Sequence, residues 1–476
     1  MDVDAEERRK HQRRTRLTAL IVACAQFMQN LDGTVIATAL PTMAHDFGVD
    51  PVRMNVALTS YLLSLAVFIP ISGWMADRFG AREVFRSAIV VFTLGSILCG
   101  RANSLEFLVL ARIVQGLGGA MMVPVGRLLL LRTADKSELV DAMAWIAIPS
   151  MIGPVVGPPL GGFIVTYTTW RWVFDINIPI GLLGIYMVSR YAPDVRDVRA
   201  SKLDAWGLLW SGLALALLMV SSETFGRGVL PEWQSNLILG GGVAFALIYW
   251  WHARGHPAPL LDFTLFRFKT FLVSIVGGTL FRVAVGGMPF VLPLMLQIGF
   301  GYSPAHSGMV TFVSSVGAVL MKPATMGALR RFGFRDTLLV NAVIASLFIF
   351  ACMSFQADTP VWWICTILFF GGFFRSLQFT AINSVAYAEI ARDKMSAATS
   401  LYATIQQVSL SLGVTISAAT IELTMHLSGH SSPGAAEFRA AFFVIAMLAI
   451  VSTPLNWLMP RDAGQEMSGH VSPPRS

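Results

Sequence analysis

Residues 108–162 read LVLARIVQGLGGAMMVPVGRLLLLRTADKSELVDAMAWIAIPSMIGPVVGPPLGG. Two long apolar segments are joined here by one short charged connection, RTADKSELVD at 132–141. The first carries Arg112 in otherwise oily surroundings. The second carries Gly153, Gly157 and Gly161, with Pro154, Pro158 and Pro159 among them. A charge inside a bilayer is costly and persists where it faces protein or water. Glycines four apart bare one helix face and let a neighbouring helix approach closely. A buried charge beside a close, kinkable packing face points to a membrane protein with moving parts.

The composition agrees. Of 476 residues 55% are hydrophobic and 13% charged, against about 25% charged in soluble proteins, and mean hydropathy is +0.63. The chain is therefore read as a polytopic membrane protein. Cys24, Cys99, Cys352 and Cys365 all fall in apolar segments, with spacing that suits neither a zinc site nor a disulfide framework. The net charge of +7 and the N-terminal RRKHQRRTR raise the question of nucleic acid, but basic cytoplasmic loops account for the excess. No cleavable signal is expected, because the first apolar stretch is of helix length.

With about 20 apolar residues per crossing, helices are expected near 18–43, 55–74, 84–102, 105–131, 139–165, 172–192, 205–223, 234–252, 270–297, 304–327, 337–355, 361–388, 396–425 and 437–459. Their even number puts both termini on one side. Apart from Arg112, Arg127, Arg282, Lys322 and Arg375 within helices, only Arg53, Arg101, Arg171, Arg227 and Arg439 fall on or near the opposite side. The positive-inside rule then places both termini in the cytoplasm. Residues 253–268, ARGHPAPLLDFTLFRF, suggest a short interfacial helix anchored by Leu and Phe, and residues 460–476 suggest a disordered tail. MADRFGAR at 75–82 returns as ALRRFGFR at 328–335. Setting aside helices 7 and 8 makes these loops equivalent in two six-helix halves, a repeat of the kind from which transporters are built. The expected division is a basic tail at 1–17, a six-helix bundle at 18–192, linker helices with the interfacial segment at 193–269, a second bundle at 270–459, and the tail.

Four local patterns resemble the major facilitator superfamily, and within it the fourteen-helix drug:proton antiporters of EmrB/QacA type. They are LDGTVIATALP at 31–41, GWMADRFGAR at 73–82, LVLARIVQGLGGA at 108–120 and GPVVGPPLGG at 153–162. Ala37 stands where that family more often has a polar residue, and Met75 replaces its usual Leu. WRWVFDINIPIG at 170–181 is a fifth match, with Asp175 where an apolar residue is usual. The resemblance implies the major facilitator fold, two six-helix bundles plus two inserted helices, and a transport function driven by the proton gradient. No further cofactor and no metal are expected.

Asp32 lies midway along the first helix. Desolvation favours its neutral form and a nearby cation the charged form, so it can take up and release a proton as water access changes; the plainer reading is a structural aspartate capped by Asn30 or Thr34. Arg112 stays charged and can hold a carboxylate, with Gln115 on the same face. The resemblance gives Asp32 and Arg112 a part in proton coupling; a fixed inter-helix clamp is the plainer role for Arg112. Asp77, Arg78 and Arg82 are placed in a tight turn with Gly80, following Gly73. The resemblance implies a conformational latch there, the alternative being solvated loop charge. The helix-5 motif Gly153, Pro154, Gly157, Pro158, Gly161 and Gly162 is read as a seam across which the halves rock, and its resemblance is to exporters.

In the C-terminal half, Arg282 and Arg375 fall near mid-membrane and Lys322 nearer the cytoplasm. Glu422, Glu223 and Asp175 lie toward the outer ends. A cavity of positive character is expected, favouring anionic or zwitterionic amphiphiles, with Gln115, Arg282, Phe281, Arg375 and Phe374 as candidate lining. Phe369, Phe370, Phe373 and Phe290 extend it as an apolar pocket, unless they simply face lipid. No GxxxxGK[ST] loop occurs, and nothing suggests catalysis. The expected function is proton-coupled export of amphipathic small molecules from an inner (plasma) membrane. Protonation of Asp32 from outside would favour inward opening, and substrate would then displace the proton. Expected partners are the amphipathic substrate, protons and the lipid bilayer, with a periplasmic adaptor left open and no nucleic acid. A narrow-substrate metabolite or siderophore exporter, or a non-transporting sensor or scaffold, remain the alternatives.

Overall fold

The computed structural model describes residues 2–133, 139–192, 203–224, 231–257, 259–391, 394–430 and 432–469. Among them every regular element is helical. The helices are α1 (Asp2–Phe47), α2 (Asn55–Phe68), α3 (Ser72–Phe79), α4 (Ala81–Gly100), α5 (Leu105–Thr133), α6 (Leu139–Tyr167), α7 (Trp172–Asp175), α8 (Asn177–Tyr191), α9 (Ala205–Thr224), α10 (Glu232–Gly255), α11 (Lys269–Leu294), α12 (Pro304–Leu320), α13 (Lys322–Ala351), α14 (Val361–Val385), α15 (Met395–Ser428), α16 (Ala435–Asn456) and α17 (Gln465–Ser468). Twelve stretches are long and apolar enough to cross a bilayer. The Ile152–Tyr167 part of α6 is a further, shorter apolar helix, and the 17-residue α12 falls below the length of a full crossing. In lipid every backbone group must be satisfied internally, and a helix does so within its own segment.

The helices pack as two bundles, α1–α8 and α11–α16, with α9 and α10 paired beside them and α9 resting on α2 and α15. The repeat is visible in the backbone. Gly80 has φ +90° and Gly333 has φ +71°, a left-handed region open to glycine at little cost, and each ends one helix and starts the next. Arg82 donates to the Ser189 carbonyl on α8, while its counterpart Arg335 lies over the Trp457 ring at the end of α16, 4.8 Å from its centroid.

Both ends of the chain lie on one face. The glycines of α6 meet α1 in increasing order, Gly153 at Asn30, Gly157 at Thr34 and Gly161 at Thr38, so the two helices run parallel. By contrast α12 meets α6 in decreasing order, Gly162 at Pro304 and Pro158 at Gly308, and returns. The returning chain reaches Gly333, and α17 docks beside it. We call this the terminal face and the other the far face. On the far side one apolar cluster joins residues of both halves, among them Ile36, Leu40, Val52, Leu294 and Met295. Two smaller clusters lie toward the terminal side, one built around Phe85 and Leu129, the other around Phe271 and Tyr402, and Ala403 of α15 packs against the first of them.

Several expectations are corrected. The basic tail is not a separate segment, because α1 is helical from Asp2. Residues 460–469 are folded: Met459, Ala463 and Ser468 are buried and Gly464 packs on Phe334. Residues 470–476 lie outside the described residues. The segment 253–268 forms no separate α-helix among the described residues: 253–255 end α10, and the strap that follows carries one 3₁₀ turn, Phe263–Arg267. Leu261 and Leu265 face protein rather than lipid, and the Tyr249 hydroxyl donates to the Leu261 carbonyl at 3.0 Å and accepts from its N–H at 2.6 Å.

Candidate functional site

The centre of the N-terminal bundle is a buried polar network in an apolar core, in which Arg112 Nη2 and Asn177 Oδ1 find no partner among the described residues. Asp32 is 1% exposed, and Arg112 and Gln115 are fully buried. Arg112 Nη1 donates to Asp32 Oδ2 at 2.7 Å and to Gln115 Oε1 at 2.6 Å, and Nε donates to the Ala57 carbonyl at 3.0 Å. Gln115 Nε2 and Asn177 Nδ2 donate to Asp32 Oδ1 at 2.8 and 3.0 Å, and both also donate to Ser96 Oγ. The Arg112 guanidinium lies over the Tyr61 ring, 4.2 Å from its centroid. Four helices contribute to the carboxylate's surroundings. Three donors converge on it, an arrangement that suits the ionised form, which only accepts. Thr34 bonds to the Asn30 and Leu31 carbonyls, so it does not cap Asp32.

Glycine makes this convergence possible. A Cβ on Gly95 of α4 would stand 2.5 Å from Gln115 Cα, and one on Gly116 would stand 2.5 Å from Ser64 Cβ. The QGLGG stretch thus lets α2 and α4 close on α5, and Ser64 Oγ then reaches the Ile113 carbonyl at 2.7 Å.

The helix-5 motif divides its work. Gly153, Gly157 and Gly161 seat α6 on α1 inside one half; a Cβ on Gly157 would meet Thr34 Oγ1 at 2.0 Å. They are therefore not the seam between halves. The seam is the other face of the same helix. Ser315 donates to the Pro154 carbonyl at 3.0 Å, Gly308 packs on Pro158, and Gly162 packs on Pro304. Toward the far face Gln297 Nε2 donates to the Thr38 carbonyl and the Ala305 N–H to Thr166 Oγ1, both at 3.0 Å.

The expected latch is only partly a loop. Asp77 and Arg78 sit in the last turn of α3 and Arg82 in the first turn of α4. The first-turn acid of α4 is Glu83, which pairs with Arg86. Gly73 is exposed, and nothing lies within 4 Å of where its Cβ would be. Asp175 pairs with Arg101 at 3.1 Å near the far face.

The candidate cavity lining does not assemble as a pocket. Gln115 belongs to the Asp32 network, and Phe281 and Phe290 are sealed in the core. Phe374 stacks on Phe348 at 5.6 Å, and Phe370 is exposed at 42%. Arg375 donates to Ser314 on α12, and Lys322 to Thr380 at 2.8 Å. Arg282 is fully buried and donates to Tyr402. The Glu223 side chain lies outside the described residues.

The sequence reading missed Asn177 and Ser96. It also missed a group of Asp204, His252 and His256, whose ligand atoms lie within 4.8 Å of one another. Asp204 accepts from His252 at 2.7 Å and from the Gly207 and Leu260 N–H groups, clipping α9, α10 and the strap together. Burial pushes its carboxyl up, but these hydrogen bonds and the His252 charge outweigh that and hold it below its ordinary value.

The sequence profile of the Major Facilitator Superfamily matches residues 22–414 and 274–470. The chain belongs to the major facilitator superfamily. This facilitator is 38% identical over 418 residues to a Serratia proteamaculans (strain 568) protein provisionally named multidrug resistance protein MdtD, covering 88% of this chain and 87% of that one. A Klebsiella pneumoniae (strain 342) protein of the same name is 37% identical over 454 residues, covering 93% and 94%. Among solved structures, the nucleoside transporter NupG matches with TM-score 0.67 at 14% identity, over 94% of this chain and all of that one. A bacterial homologue of the human lysosomal transporter Spinster, inward-facing and unoccupied, matches with TM-score 0.65 at 15% identity, over 94% and 96%. At such identities the likeness is of fold alone. As a member of the superfamily, the chain is a multi-span membrane transporter and not an enzyme.

Proposed function

We propose that this facilitator is a proton-coupled antiporter that exports amphipathic small molecules across the inner (plasma) membrane by alternating access, with both termini in the cytoplasm. The observation that carries the reading is the Asp32–Arg112 pair, 2.7 Å apart and sealed from solvent. A dry ion pair costs desolvation that its attraction only partly repays, so taking up a proton and breaking the pair are coupled to how water reaches the site. The export of drugs follows the name that its relatives carry, and the orientation follows the basic loops.

With the termini cytoplasmic, the joined far face is the outer one. The described conformation is then closed to the outside, and the three donors around Asp32 fit the stage of the cycle after its proton has left inward. Substrate arriving from the cytoplasmic side favours the opposite state, and a proton entering from outside resets it. The gradient drives the cycle because the two ligands prefer different states. Gly73, Asp77, Arg78, Gly80 and Arg82 form the latch of the opposite state.

The test is proton movement in proteoliposomes holding a pH-sensitive dye, challenged with cationic, zwitterionic and anionic amphiphiles. Wild type is expected to couple substrate to proton flux, and Asp32→Asn to lose it. Flux unchanged in Asp32→Asn would remove the coupling role. Folded wild-type protein silent with every compound would overturn broad-substrate export in favour of a narrow-substrate exporter.

A further inference from the structure

The two halves each bury one arginine in the middle of the membrane, and they treat its charge differently. Arg112 has a carboxylate at 2.7 Å. Arg282 on α11 is just as buried, yet among the described residues no carboxylate pairs with it. Its Nη2 donates to the Tyr402 hydroxyl and reaches Asn383 Oδ1 at 3.5 Å. Tyr402 in turn donates to Asn383 at 2.7 Å, and its ring lies under the guanidinium, 4.5 Å from the centroid. Among the described residues its Nε and Nη1 groups find no hydrogen-bond partner. An uncompensated buried charge with two idle donors is among the costliest arrangements a core can hold, and in membranes such residues mark substrate pathways.

The surroundings say where the missing partner enters. Asn383 and Tyr387 are half-buried at the terminal-side end of α14, and the Tyr387 ring is 5.4 Å from that of Tyr402. Tyr402, Asn383 and Tyr387 thus continue from the buried guanidinium toward the terminal side.

We propose that Arg282, with Tyr402 and Asn383, is the subsite for the anionic head, a carboxylate or sulfonate, of the exported amphiphile. Guanidinium donors bind such oxyanions strongly, and Nε and Nη1, whose N–H groups diverge on either side of Cδ, each have a hydrogen bond to give. Arg375 differs: its Nη2 donates to Ser314 across to α12, and none of its nitrogens is among the buried ones left without a partner; it positions helices instead. The proposal rests on the transport reading above but not on proton coupling.

Two dyes with one aromatic skeleton test it: anilinonaphthalene sulfonate, which is anionic, and phenylnaphthylamine, which is neutral. Binding to the full chain is measured in phosphatidylcholine nanodiscs, with empty discs subtracted. Wild type is expected to bind the sulfonate at least tenfold tighter than the neutral dye. Arg282→Gln should weaken the sulfonate tenfold or more and the neutral dye less than twofold, and Arg282→Lys, which keeps the charge, should recover part of the loss. Equal weakening of both dyes, or of neither, overturns the subsite. Should Arg282→Gln fail to fold, the wild-type preference and the Arg282→Lys ratio decide alone. A sulfonate site abolished by phosphatidylglycerol in the disc would assign the guanidinium to a lipid head and overturn the substrate reading. These measurements involve no proton flux, so they stand whichever way Asp32→Asn behaves.

Discussion

Asn177 and Asp32 lie 145 positions apart in the chain and 3.0 Å apart in the fold, amide to carboxylate. Asn177 also reaches Ser96 Oγ at 3.1 Å, so it is one of two side chains tying α4 to the carboxylate. Hydrogen bonds to charged groups contribute about 1.5–3 kcal/mol. Asn177→Ala should lower thermal stability in detergent by that order and slow export without abolishing it. An unchanged unfolding midpoint would show that the bond contributes nothing.

The ion pair can be separated from its role in coupling by a double-mutant cycle. Asp32→Asn leaves Arg112 buried without its partner, and Arg112→Met does the same to Asp32; breaking such a pair costs about 3–5 kcal/mol. The double variant carries neither charge and should be more stable than the sum of the single losses allows, while remaining inactive in export. Additive losses would mean that the pair is not an energetic unit.

Two glycines should respond oppositely to a methyl. Gly157→Ala drives a carbon into Thr34 Oγ1 and should cost about 1–3 kcal/mol as overpacking, with Thr34→Ala restoring part of it. Gly73→Ala meets nothing and should leave the midpoint unchanged. Its export should nonetheless fall, because the latch contact forms in the other state. Full activity in Gly73→Ala would count against the latch.

Acid should loosen the linker helices. Asp204 titrates below its ordinary value in the folded protein, near 3.9 for an unfolded aspartate. Its contribution is present above that unfolded value and is lost as pH falls through the lowered folded one. Wild type should therefore lose stability below about pH 4 more steeply than Asp204→Asn, which keeps the cap but does not titrate. Parallel acid limbs would refute the assignment.

How much of this was written in the sequence depends on the kind of residue. Asp32 and Arg112 stand out because ions are rare in apolar segments, and Gln115 follows from its three-residue spacing. Asn177 does not stand out, since an uncharged amide near a helix start has many ordinary uses. Periodicity correctly put Gly153, Gly157 and Gly161 on one face, but it could not say that α1, and not the opposite half, would meet that face. Phe281 and Phe290 were misplaced for a related reason: an apolar side chain suits lipid, a pocket or a core equally, and only packing decides. The strap at 253–268 has the composition of an interfacial helix, but Pro257 and Pro259 break its backbone and the Tyr249 hydroxyl takes the amide groups a helix would need.

The neutrality of the Asp32–Arg112 pair has an electrical consequence. As described, the pair contributes no net charge to the N-terminal bundle. Once Asp32 carries a proton, Arg112 is left as a full positive charge in the membrane interior. An elementary charge crossing the whole membrane field feels about 2.3 kcal/mol per 100 mV. In the proposed cycle only the proton-loaded bundle senses this field, so a potential negative inside pulls the returning stroke inward and leaves the deprotonated, outward-going stroke untouched by Arg112.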